Sequence, residues 1–151
     1  MVVIRSIRES DAEAWFRLRH ALWPDHTRTE FDEESVAMLA NASREGVFVA
    51  ERDDGTLCGL VEISIRDTAI GCRTRNVGYL EGWYVDPAHR GQGIGRRLVE
   101  AAESWARERG CTEMASDTTS DYPVSPEAHA SLGYEEVHRV VFFRKGLNPR
   151  N

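Results

Sequence analysis

The chain reads as a mixed α/β domain, and three observations carry that reading. Strand-like runs alternate with segments of helical periodicity along the whole sequence. One strand, Tyr79 to Val85, feeds through the turn signal Asp86-Pro87 into a glycine loop, Arg90-Gly91-Gln92-Gly93-Ile94-Gly95, and that loop opens a helix. A length of 151 residues suits one domain, 1–151, with a real core, and no linker, repeat or low-complexity stretch divides it.

Taken in order, Val2 to Ile7 alternates as a strand does. Ser10-Asp11-Ala12-Glu13 has capping-box form and starts a helix, whose apolar face is Trp15, Leu18 and Leu22 and which Pro24 stops. Residues 24–34 are polar and acidic, and a short second helix follows to about Asn41. Gly46–Glu51 and Leu57–Arg66 are strands around the hairpin signal Asp53-Asp54-Gly55-Thr56, and Asp67–Arg75 is a loop. After the strand 79–85, the stripe Ile94, Leu98, Ala101, Ala102, Trp105 marks a long helix that ends at Gly110. Cys111–Ser116 is a further strand. Ser125-Pro126 starts a short helix that closes at Gly133, and Val137–Lys145 supplies one or two last strands.

Composition narrows the function. Hydrophobic content of 41% and charged content of 29% are those of a soluble globular protein. No apolar run spans a bilayer and no signal-peptide core opens the chain, so no membrane association is expected and the cytoplasm is the expected location. Cys58, Cys72 and Cys111 form no CxxC pair and fit reduced thiols there. A net charge of −6 disfavours nucleic acid as a partner and suits a cationic substrate. The five histidines show no metal-ligand spacing, so no metal is expected.

The glycine loop carries the chemistry. Glycines let backbone approach a ligand closely, and the unpaired amides and dipole of a helix N-terminus attract anions. Arg90 and Arg96 add positive charge at the rim, which makes the loop a cradle for a pyrophosphate. It is not a Walker loop, since Gly95 is followed by Arg96-Arg97, and its glycine spacing is not the Rossmann fingerprint.

Arg-Gly-x-Gly-x-Gly after a strand ending Val-Asp-Pro resembles the acetyl-coenzyme A loop of the GNAT acetyltransferases. Leu22-Trp23-Pro24, Leu80-Glu81-Gly82, Pro87-Ala88-His89-Arg90, the run Cys111 to Asp117, and His129 through Glu136 further resemble the aminoglycoside 6'-N-acetyltransferases. The resemblance implies a central, mostly antiparallel sheet with one splayed strand pair and flanking helices, acetyl-CoA as co-substrate, and an aminoglycoside or other polycationic amine as acceptor. It implies a homodimer as well. Residue by residue, it places Trp83, Tyr84 and Val85 on the acetyl-pantetheine arm and Arg90, Gly91, Gln92, Gly93, Ile94, Gly95 and Arg96 at the pyrophosphate. Tyr122 stands where the family carries a coenzyme-contacting Asn. Trp23, Glu81 and Asp117 fall on positions lining the acceptor site, and an acidic position of that site falls on His138, with Glu135 and Glu136 adjacent. Ala69 stands at an aromatic substrate-contact position, and His129 at the family's frequent thiol-side Tyr.

Acyl transfer to an amine needs a neutral amine, donors for the acyl oxygen, and a proton or positive field for the leaving thiolate. Glu81 and Asp117 attract the ammonium and relay its proton through water. A strand splayed after Glu81 offers the N–H of Tyr84 or Val85 to the thioester carbonyl. His129 either protonates the thiolate or is a polar residue of a short surface helix; Trp23 either stacks on a sugar or joins the core. No histidine lies near Cys111 in sequence, so direct transfer in a ternary complex is expected. Two other functions fit the same loop: acetylation of another amine, such as a polyamine or a protein N-terminus, and a non-catalytic acetyl-CoA-binding module.

Overall fold

A computed structural model describes residues 1–148. Strands β1 (Val3–Ser6), β2 (Glu45–Glu51), β3 (Leu57–Arg66), β4 (Val77–Val85) and β5 (Met114–Ser116) form one sheet in chain order. The first three pairings are antiparallel and β4–β5 is parallel. Helices α1 (Ala12–Leu22) and α2 (Arg28–Ala40) cover one face; α3 (Ile94–Glu108) covers the other; α4 (Ser125–Ser131) is short.

Alternation along β3 divides the core. Val61 and Ile63 pack under α3 with Leu98, Val99, Ala102 and Trp105, while Leu60 packs with Trp15, Leu18 and Phe31 of α1 and α2. Glu62 shares the α1 face with Leu60 and is 1% exposed.

Two irregularities position everything that follows. Between β3 and β4 the register runs Glu62↔Gly82 and then Ile63↔Leu80, so Glu81 is the extra residue of a β-bulge. A bulge re-aims its side chain, which explains a carboxylate between Leu80 and Gly82 in an apolar strand. The second is a splay. β5 pairs only with Gly78, Tyr79 and Leu80, so β4 runs on from Glu81 to Val85 with its β5-side edge unpaired.

Several sequence expectations are corrected. The Ser10–Glu13 box does not form: the Asp11 carboxylate accepts from the Arg8 amide and from both terminal nitrogens of Arg5, and Glu13 pairs with Arg28. The second helix starts at Arg28, inside the segment read only as polar and acidic, because Thr27 and Glu30 cap it reciprocally. At α4 the N-cap is Val124, with Ser125 inside the helix.

The last strands are absent among the described residues. Beyond Tyr134 the chain leaves the domain as an extended arm, with Val141, Phe142 and Phe143 at 73%, 90% and 93% exposure. Val137 lies over Gly71, and among the described residues no part of the arm joins a strand ladder. Glu135 to Lys145 contains no Gly, Pro, Asn or Asp, so it has no turn on which to fold back as a hairpin. The three-residue β5 is the sheet edge nearest in chain order, and it is short.

Candidate active site

The glycine loop sits at the C-terminal end of β4. Gly91 and Gly93 have φ of 77° and 81°, and a Cβ on either would meet nothing within 4 Å. Positive φ demands glycine at both, and the space beside them is open. Gly93 is the N-cap of α3 and no side chain caps that helix, so its first amides remain available to an anion. These features fit a pyrophosphate. Gly95 answers a different need: its Cβ would lie 3.3 Å from the Trp83 ring, whose Nε1 donates to the Gly95 carbonyl at 3.1 Å.

The expected loop residues divide by role. Ile94, the first residue of α3, has its side chain buried in the core and can offer only backbone. Arg90 is not free at the rim: its Nε donates to the Val85 carbonyl at 2.8 Å and its guanidinium stacks over Tyr84. Arg96 reaches the Ser131 carbonyl and ties the loop to α4, while Gln92 stays exposed.

His129 of α4 lies beside Trp83, ring centroids 5.4 Å apart and nearly perpendicular. Its Nδ1 is 2.8 Å from the Ser125 carbonyl, which can only accept, so Nδ1 carries the proton. Nε2 lies 2.8 Å from the Ser116 hydroxyl, which donates to the Leu80 carbonyl at 3.4 Å. This pair stands where β5 ends and the splay begins.

On the opposite face lies an open cleft of about 860 Å³, lined by Arg19, Trp23, His26, Glu30, Glu34, Glu62, Glu81 and Tyr122 among others. The bulge turns Glu81 into it. Ser64 Oγ donates to Glu81 at 2.5 Å, and Arg66 donates through Nε and Nη2 at 2.9 and 2.6 Å. The Arg66 guanidinium also stacks 3.5 Å over the Tyr79 ring, and the Tyr79 hydroxyl donates to Asp117. Burial first, then Asp117, pushes the Tyr79 phenol well above its ordinary range, so it remains a proton donor. Glu81 and Asp117 are thereby joined through Arg66 and Tyr79.

Trp23 stands at the end of α1 against Gly82, where an added Cβ would fall 2.7 Å from the indole. Arg19 lies over its other side at 5.3 Å. Trp23 is thus a wall of the cleft, half-buried rather than core. Tyr122, expected on the coenzyme side, lines this cleft instead, its hydroxyl donating to the Leu22 carbonyl at 2.9 Å. Glu136 and His138 are not brought to the site: they ride on the arm, where Glu136 pairs with Arg139.

The acidic segment 24–34 supplies this site from the first turns of α2, and what sequence reading missed is the helix there and His26 beside it. His26, Glu30 and Glu34 cluster with ligand atoms within 4.8 Å of one another, and Glu34 binds both His26 and Arg19. The signal was present as Thr27-Arg28-Thr29-Glu30, a capping box that brings Glu30 and Glu34 onto one helix face.

Known proteins share this architecture. The chain is 44% identical over 147 residues to the aminoglycoside N(6')-acetyltransferase type 1 of Klebsiella aerogenes, covering 96% of this chain and 97% of that protein. The Stenotrophomonas maltophilia enzyme of the same name is 43% identical. Among solved structures, AAC(6')-Iy in complex with the bisubstrate analog CoA-S-monomethyl-acetylneamine superposes with a TM-score of 0.89 at 35% identity, covering 97% of this chain and 99% of that one. The model of the Acetyltransferase (GNAT) family matches residues 6–134, from the end of β1 through the loop and α4. The protein belongs to the GNAT acetyltransferase family.

Proposed function

We propose that this protein transfers an acetyl group from acetyl-CoA to the 6'-amine of aminoglycosides, in a ternary complex, and so confers resistance to them. The observation that carries the reading is the bulge at Glu81. There the acidic cleft on one face of the sheet meets the splayed edge of β4, and that edge runs straight into the glycine loop. Relatives matching nearly the full chain bear the aminoglycoside N(6')-acetyltransferase name.

Bound acetyl-CoA supplies the acetyl thioester. The loop amides of 91–96 hold the pyrophosphate, and the unpaired edge from Glu81 to Val85 offers backbone groups to the acyl arm and acyl oxygen. Glu81, Glu30 and Glu34 attract the ammonium groups of the acceptor, and Trp23 presents a flat apolar wall to a sugar ring. The attacking amine must lose a proton, and Glu81 at the bulge accepts it directly or through water. A proton held at His129 Nε2 passes to Ser116 Oγ as the Ser116 hydroxyl gives its own to the thiolate beside the start of the splay, which leaves His129 neutral.

The reading includes a homodimer, supported by an arm whose apolar side chains have no cover in one copy. It also includes the cytoplasm, supported by three unpaired cysteines, two of them buried. Kanamycin and tobramycin acetylation, with product NMR, tests the function. Acetyl on the 6'-nitrogen, and no turnover of an aminoglycoside with a 6'-hydroxyl, is the expected result. Acetyl on another nitrogen removes the regiochemical claim. Coenzyme binding with no aminoglycoside turned over removes the substrate class.

A further inference from the structure

The cleft contains a cation at its floor. Arg19, on α1, is 6% exposed yet lines the space meant for a ligand bearing several ammonium groups. A guanidinium cannot shed its proton in such a place. Uncompensated, it would repel the acceptor from inside the site.

Glu62 is the compensating group: burial pushes its carboxyl up, while Arg19 and the Trp15 N–H beside it favour the charged form. Its Oε2 is 3.0 Å from Arg19 Nε and accepts from Trp15 Nε1 at 2.9 Å. Arg19 Nη1 also lies 2.8 Å from Glu34 Oε2, and its guanidinium covers the Trp23 ring. Arg19 Nε and Nη1 make no well-directed hydrogen bond despite these distances, so their link to the two carboxylates is chiefly one of charge. Burial weighs against the Glu34 carboxyl, but His26 and Arg19 outweigh it and hold Glu34 below its ordinary range. The chain Glu62–Arg19–Glu34–His26 thus runs from the sheet interior to the cleft rim.

A buried ion pair is a poor route to stability, since well-packed apolar side chains of the same volume do as well or better. This one stands in the wall of the acceptor cleft and fixes two of its other walls. We propose that Glu62 is a positioning residue for the acceptor: it neutralises Arg19 and holds that guanidinium where it supports Glu34 and Trp23, so that the cleft presents net negative charge. The inference rests on the acceptor reading given above.

Glu62→Gln tests it. The variant keeps the shape and the acceptor for Trp15 while leaving Arg19 to Glu34 alone, which spends the Glu34 charge on Arg19 rather than on the acceptor. Across aminoglycosides that share a 6'-amine but differ in their number of further amino groups, KM should rise in proportion to charge, roughly tenfold for the most charged. Both kcat and the KM for acetyl-CoA should stay within about twofold of wild type, because the coenzyme loop lies on the other face. Glu62→Met with Arg19→Met removes anion and cation together, so the dependence of KM on acceptor charge should return toward wild type, even though KM for every acceptor rises as Trp23 loses its support. An unchanged KM in Glu62→Gln, an equal rise for every acceptor in that variant, or no return of the charge dependence in the double variant would each overturn the inference. Should Glu62→Gln not fold, the double variant carries the test alone. Its KM ratio between the most and least charged acceptors should stay within about threefold of the wild-type ratio, and a tenfold change overturns the inference. Wild-type protein that acetylates no aminoglycoside takes down the acceptor reading and this inference with it; wild-type turnover with failure of these tests takes down the inference alone.

Discussion

Glu81 is a carboxylate that a β-bulge aims into the acceptor cleft and that Ser64 and Arg66 hold there. Its replacement should therefore act on the acceptor and leave the coenzyme alone. Glu81→Gln is expected to lower kcat/KM for aminoglycosides by about ten- to a hundredfold, the range for losing a charge-assisted contact of roughly 1.5–3 kcal/mol. Acetyl-CoA affinity by calorimetry should not move. Gly93 makes the complementary case. Its φ is 81° and the space where a Cβ would point is empty, so Gly93→Val has no protein neighbour to offend. What it disturbs is the left-handed backbone, at a cost on the order of 1–3 kcal/mol, and the room for a phosphate. Weakened coenzyme binding in a folded variant is expected, and unchanged affinity would remove the cradle. The sequence made both residues legible for different reasons: Glu81 as a charge in an apolar run, Gly93 as part of a spaced glycine set. It did not disclose Arg66, Arg19 or Glu62 as parts of the site, because what matters about them is contact across strands and helices.

At the scale of elements, β1 and α1 are locked by a clip rather than by the expected capping box. Arg5 of β1 donates to Asp11 through two nitrogens at 2.8 and 2.9 Å, and Asp11 also accepts from the Arg8 amide. The hydrogen bond from Arg5 is the largest influence holding the Asp11 carboxyl below its ordinary value. A lowered native value means stability that is present above the unfolded value, near pH 4, and lost as pH falls through the native one. Asp11→Asn should therefore lower Tm at pH 7, and the gap from wild type should narrow as the pH is taken toward 2. A gap that stays constant would show that the clip contributes no charge-dependent stability. Most elements were legible: the hairpin at Asp54-Gly55, the α3 stripe and the strand–loop–helix unit all combine periodicity with turn chemistry. The errors share a cause. The segment 24–34 is too polar to show a helical stripe, yet its polar residues are a cap and the acidic face of α2. The Val137–Lys145 run has strand composition, but composition does not say which edge a strand pairs with.

At the scale of the whole molecule, the exposed arm beyond Tyr134 bears on the proposed dimer. A segment with Phe142 and Phe143 about nine-tenths exposed does not suit a free monomer, and the outer edge of β5 is unpaired. Light scattering should give a dimer, and Phe142→Asp with Phe143→Asp should give a monomer. A monomeric wild type would leave the arm without an occupant. Charge is also a property of the whole chain. A net charge of −6 draws a polycation in from a distance, and added salt should slow that approach. Close contact is another matter, because Arg66 already occupies both Glu81 oxygens. The arriving ammonium displaces a tethered guanidinium rather than sodium ions from solution. Binding at that carboxylate is an ion exchange within the protein, and it releases no counter-ion to the bulk. The slope of log KM against log salt should consequently report fewer charges than the cleft contains, with Glu81 the one left uncounted.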